Sequence, residues 1–119
     1  MYAKQIIGKM GENFACEYLQ KKEYIIIGRN FRCRQGEVDI IAKDVCAEEL
    51  AFIEVKTRTG FQFGRPAEAV DSCKQKNIYK SAEYYVFKNN IKNVAIRLDV
   101  IEVFIKNSRV RINHIKHAF

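Results

Sequence analysis

No uncharged apolar run in this chain is long enough to cross a membrane, and the N-terminus lacks the apolar core of a secretory signal peptide. A transmembrane helix is excluded, and the cytoplasm is the expected compartment. Cysteine occurs only four times, at Cys16, Cys33, Cys46 and Cys73, in no CxxC pair, and the two histidines, His114 and His117, lie together near the C-terminus. A zinc site needs tighter clustering than that, so the thiols are expected to be reduced and mostly structural. Proline occurs once and internal repeats and low-complexity tracts are absent, while 48% hydrophobic and 29% charged residues are the proportions of a folded soluble protein rather than a disordered one. At 119 residues one domain is expected, burying about two thirds of its unfolded surface without disulfide or metal staples.

What the chain has in excess is positive charge. Its 21 Lys and Arg against 14 Asp and Glu give 21 − 14 = +7, with a sequence pI near 9.3. Such a surface attracts polyanions, and nucleic acid is the leading candidate partner. No strongly amphipathic basic helix directs it to a membrane instead.

Apolar residues Ile7, Phe14, Ala15, Tyr18 and Leu19 recur at helical spacing, predicting a first helix over about Lys4 to Lys22, with Gly8 and Gly11 as a kink or late start. Tyr24 to Phe31 reads as a strand with Gly28 as a bulge, Gln35-Gly36 as a turn, and Glu37 to Lys43 as a second strand interrupted by Asp39. A polar turn over Asp44 to Glu49 leads to a third strand, Leu50 to Arg58, and the three are expected to form an antiparallel meander. Thr59 to Pro66 is a loop. A second helix follows over about Asp71 to Asn89 with Asp71 or Ser72 as N-cap, then a fourth strand, Val94 to Ile105, and a short fifth, Val110 to Ile115. The order is α-β-β-β-α-β with an optional last strand.

The third strand carries an oddity: Glu54 and Lys56 stand two apart in its middle. Strand side chains alternate, so both share the face of Phe52 while Ile53 and Val55 enter the opposite layer. About 7 Å separates them, room for a metal ion, a water or a phosphate oxygen. Taken alone, such a pair reads as a solvated ion pair worth about 0 to 1 kcal/mol. Asp39 on the adjacent strand changes the weighing. Mg2+, or Mn2+ in its place, prefers oxygen ligands and uses one or two protein carboxylates, which Asp39 and Glu54 would supply. An ion there would polarise a scissile phosphate, and Lys56 would orient the attacking hydroxide or stabilise the transition state. Glu12, on the first helix, either reaches the ion through a water or merely favours the helix dipole.

Asp39 followed by Glu54-Val55-Lys56 in this element order resembles the PD-(D/E)xK nuclease superfamily, in its Holliday junction resolvase branch. Gly11-Glu12, Ala15, Tyr18-Leu19, Arg29-Asn30-Phe31-Arg32, Gly36-Glu37-Val38-Asp39, Phe52 to Arg58, Phe63-Gly64, Ala69-Val70-Asp71, Lys74 and Ala118-Phe119 resemble the bacterial YraN family of uncharacterised endonuclease-like proteins. The resemblance implies a restriction-endonuclease-like α/β fold over residues 1–119, an αβββαβ core with a central mixed sheet flanked by helices. It also implies Asp39 and Glu54 as metal ligands, Lys56 as the catalytic lysine, Glu12 as the helix carboxylate of resolvase-like nucleases and, by analogy, a homodimer. Two positions depart from the pattern: Arg97-Leu98-Asp99 stands where Arg-Phe-Asp is typical, and no proline precedes Asp39.

Arg29, Arg32, Arg34, Arg58 and Arg65 are candidates for phosphate contacts along a groove, and Lys74 for contact with the scissile phosphate or Glu54, each with an ordinary surface charge as its alternative. Phe61 and Phe63 either stack on unpaired bases or anchor their loop. Glu37 reads as structural, and Asp99 either belongs to the site or pairs with Arg58 or Arg97. Three classes of function remain open: a Mg2+-dependent endonuclease acting on branched or recombination DNA, a DNA-binding module that keeps the fold without turnover, and a protein-interaction scaffold.

Overall fold

A computed structural model describes residues 2–59 and 71–119, with side chains from Gln5 onward. The elements are α1 (Tyr2–Lys21), β1 (Tyr24–Cys33), β2 (Gly36–Asp44), β3 (Glu49–Arg58), α2 (Ser72–Lys88), β4 (Ala95–Lys106) and β5 (Arg109–Ile115). They make an α/β fold with one five-stranded sheet in the order β1-β2-β3-β4-β5. The expected meander is present, β1 to β3 pairing antiparallel; β4 runs parallel to β3 and β5 returns antiparallel. The parallel step exists because α2 intervenes between β3 and β4, and the fifth strand is real.

Alternation along the strands sorts the core into two layers. Ala51, Ile53 and Val55 of β3 join Ile40, Ala42, Ile101 and Val103 beneath Ala15, Cys16 and Leu19 of α1. Phe52 joins Val38, Ile41, Leu98 and Val100 beneath Ile78 and Ala82 of α2. Burial on both faces explains why the central strands are almost continuously apolar. Tyr85 packs edge-on against Phe31 and Phe52, with ring centroids at 5.2 and 5.7 Å. All four cysteines are free thiols. Among the described residues no helix is long and apolar enough to cross a membrane.

Two sequence expectations need correction. Neither Gly8 nor Gly11 delays α1, which is continuous from Tyr2. Gly11 is a point of close approach instead: a Cβ there would overlap the Thr57 side chain of β3. The β1 bulge lies at Ile27, between the pairs Ile26↔Ala42 and Gly28↔Ile41, one residue before the glycine expected to form it.

At one end the sheet is locked by a buried ionic cluster. The Arg97 guanidinium of β4, 2% exposed, donates to Asp44 Oδ2 (2.8 Å), Glu49 Oε1 (2.9 Å), both oxygens of Asp99 (2.9 to 3.1 Å) and the Tyr24 hydroxyl (2.6 Å). Asp99, fully buried, also accepts from His114 Nε2 (2.7 Å), whose Nδ1 is 3.1 Å from the Tyr18 hydroxyl. One arginine thus ties together the starts of β1, β3 and β4 and the end of β2. Burial alone would raise Asp44, but hydrogen bonds from Arg97 and Ala47 bring it down to about 2. That contribution to stability is present above the ordinary carboxylate range and is lost as pH falls toward 2.

Arg97→Met should cost about 3–5 kcal/mol in urea unfolding, because it strands buried carboxylates without a partner. Gly11→Ala should cost about 1–3 kcal/mol by the same measurement, since α1 must back away from Thr57.

Candidate active site

At the other end the sheet is split. The β2–β3 ladder runs from Asp44↔Glu49 to Ile40↔Ile53 and stops there, while β3 continues to Arg58 paired only with β4. Val38 packs in the α2 layer and Ile40 in the α1 layer, so β2 turns over at Asp39, where normal alternation would keep both on one face. Opposite, Asn30 of β1 adopts a left-handed φ of 53°. In the gap the Asp39 Oδ2 accepts from the Val55 main-chain N–H at 2.8 Å. A side-chain carboxylate stands where the ladder would have continued.

Glu54 and Lys56 face the α2 side, as alternation requires. Glu54 is nearly buried, its side chain 5% exposed. Its Oε1 is 3.3 Å from Lys56 Nζ and 2.7 Å from Lys74 Nζ, whereas Oε2 is buried with no hydrogen-bond partner. Lys74 reaches the site from the first turn of α2, which Asp71 caps by accepting from the Lys74 N–H at 2.8 Å. Burial disfavours the Lys74 charge, yet its hydrogen bond to Glu54 and the pull of Glu54 and Asp39 outweigh that and raise its pKa. Glu12 approaches from α1, 3.7 Å from Arg29 Nη2.

Crowding of carboxylates is felt most at Asp39. Burial first, then the charge of Glu54, push it up to about 7, against the Val55 N–H, which favours the ionised form; Glu12 adds to the rise. Among the described residues no three His, Cys, Asp or Glu side chains form a ready metal cage. The donor set nonetheless suits a hard divalent cation, which needs only one or two carboxylates beside water and phosphate oxygens. The unpartnered buried Oε2 of Glu54 is the group such an ion would satisfy.

The groove candidates divide. Arg29 is drawn into the α1–β1 contact, donating to Asn13 Oδ1 at 2.9 Å beside Glu12. Arg58 is held by the buried Glu102 (3.0 Å), which also accepts from Asn113. Both are partnered within the chain while keeping 36% and 37% of their side chains exposed. Arg32 makes a surface pair with Glu37 at 3.3 Å, and Arg34 is exposed at the β1–β2 turn, on the same end of the sheet as Asp39. Arg65, Phe61 and Phe63 lie outside the described residues. Asp99 belongs to the Arg97 cluster at the far end, and His117 is exposed. The contact of Lys74 with Glu54, one of its two expected roles, is present at 2.7 Å; the signal for it was a lysine in the first helical turn, where positive charge is disfavoured.

Comparison with known proteins matches this chain from end to end. The family model described as "Uncharacterised protein family UPF0102" matches residues 11–103. A UPF0102 protein of Clostridium botulinum strain 657 is 48% identical over 99% of this chain and 97% of its own. One from Caldicellulosiruptor saccharolyticus is 47% identical over 98% of both chains, and one from Caldanaerobacter subterraneus 43% identical over 98% of this chain and 96% of its own.

The raised Asp39 sets a pH signature for the metal-free protein. Between the ordinary carboxylate range and about pH 7 the folded state keeps a proton that the unfolded chain has lost, so this group lowers stability as pH rises through that window. Asp39→Asn should therefore melt higher than wild type at pH 8 in EDTA, with the advantage shrinking steadily toward pH 4. A difference in melting temperature that does not vary with pH would refute the cause assigned here.

Proposed function

The chain belongs to the uncharacterised protein family UPF0102, and from its site we propose that it is a divalent-metal-dependent DNA endonuclease that hydrolyses phosphodiester bonds, with branched or recombination DNA as substrate. The observation that carries this reading is Glu54, with Lys56 and Lys74 on one oxygen and nothing on the other, set against Asp39 in a split of the sheet. The likeness of Asp39 and Glu54-Val55-Lys56 to the PD-(D/E)xK pattern, in its Holliday junction resolvase branch, supports the same chemistry, and the +7 charge supports a polyanionic partner. The homodimer and Mg2+, with Mn2+ as substitute, belong to this proposal.

Asp39 and Glu54 Oε2 would hold the cation. When bound, it would polarise the scissile phosphate and lower the pKa of an attacking water. Asp39 must first lose the proton that burial and Glu54 encourage it to keep, so binding tightens as pH rises toward and past 7. Lys56, held against Glu54 at 3.3 Å, would stabilise negative charge developing on a phosphate bound beside it, a stabilisation that costs little reorganisation. Glu12 acts on Asp39 through charge rather than contact.

A second reading, a nucleic-acid-binding module with this fold and no turnover, is favoured by one observation: without a ready three-residue cage, Glu54 is already neutralised by lysine. Cleavage assays separate the two. With Mg2+ or Mn2+ the wild type should cut at least one of a panel of linear, flapped and four-way DNAs, and Asp39→Asn or Lys56→Ala should lower the rate by at least about a hundredfold. Salt-sensitive binding without cutting in any metal would establish the silent module, and equal trace activity in wild type and variants would defeat the catalytic reading.

A further inference from the structure

Glu54 has more cationic partners than one carboxylate requires. Lys56 and Lys74 both press on Oε1, at 3.3 and 2.7 Å. Lys56 is set by its strand, but Lys74 is not where helix energetics would place it. It occupies the first turn of α2, a turn with no acidic residue, where the helix dipole opposes its charge. Its side chain is 39% exposed, so the ammonium reaches inward from the protein surface and has solvent on its other side. A partly exposed, surface-reaching cation on a buried carboxylate is a counterion that can be exchanged.

The charge count indicates what exchanges with it. With a divalent ion on Asp39 and Glu54 Oε2, the two carboxylates and the ion cancel, Glu12 offsets Arg29, and among the described residues of the site Lys56 and Lys74 are left with two positive charges. A phosphodiester brings one negative charge, and the pentacovalent state formed on attack by hydroxide, water that has given its proton to solvent, carries two. The ion would supply Glu54 with the neutralisation that Lys74 supplies in its absence.

Resting on the phosphodiesterase reading above, we infer that Lys74 is the resident counterion of Glu54 in the metal-free protein and passes to a DNA backbone phosphate once a divalent ion takes Glu54. It is then a phosphate-binding residue of the site itself, not one of an outlying basic groove. Lys74 and the ion compete for one carboxylate, so each weakens the other's hold until phosphate arrives to take the lysine.

The test begins without DNA. Calorimetric titration of Mn2+ into wild type, Lys74→Met, Lys74→Gln and Lys74→Arg should show the two uncharged variants binding Mn2+ at least about fivefold more tightly, with Lys74→Arg near wild type, because removing a neighbouring positive charge favours a cation. Binding of a fluorescein-labelled four-way DNA junction is then followed by anisotropy in Ca2+ at several salt concentrations. The uncharged variants should bind it more weakly, with a salt slope smaller by about 0.9, the loss of one phosphate contact. If Mn2+ binding is unchanged or weaker in both uncharged variants, or the salt slope is unaltered, the exchange is wrong, while the cutting assays with Asp39→Asn and Lys56→Ala still decide the nuclease reading. A wild type that binds neither Mn2+ nor the junction overturns both.

Discussion

The hydrogen bond from the Val55 N–H to the Asp39 carboxylate is the contact on which the rest of the site depends. It replaces a main-chain rung with a side chain, so β2 and β3 separate without leaving the Val55 donor unpaired in the interior. The separation brings Asp39 beside Glu54, and the charge of Glu12 on α1 is felt at Asp39 as well. A sheet opened at one end must be held at the other. The Arg97 cluster does that by joining four strands through Tyr24, Asp44, Glu49 and Asp99, and Gly11 lets α1 lie directly on β3 beside the opening.

The two ionic clusters differ in how completely their donors and acceptors are matched. Around Arg97, donors and acceptors are matched: the guanidinium has a partner on each nitrogen, and Asp44 is held well below the ordinary carboxylate range. Around Glu54 the matching fails. Two lysines share one oxygen, the other oxygen has none, and Asp39 is driven upward by its neighbours. Unsatisfied buried groups cost free energy, which makes the Glu54 cluster the candidate for a site that a ligand completes.

Much of the fold could be read along the chain because its cues are local. Period-two alternation put Glu54 and Lys56 on the face of Phe52 and Ile53 on the other, and Asp71 caps α2 as its position implied. The helix and strand boundaries agree to within two residues of hydrophobic periodicity, and Asp39 adjacent to Glu54 followed from the meander. The arginines were less legible. The partners that Arg29 and Arg58 find within the chain, Asn13 and Glu102, lie 16 and 44 residues away. No spacing rule reaches that far.

What the sequence by itself determined is the set of chemical groups and the face each occupies, since both follow from residue type and from the short periods of helix and strand. Only the tertiary structure decided which of those groups compete for one another. That Lys74 meets Glu54, that Arg58 meets Glu102 and that Asp99 serves Arg97 at the far end depend on how α2 and β4 return to the sheet. Charges at a few ångströms outweigh any local preference of the residues that carry them, so the pairing of carboxylates with cations is settled by packing.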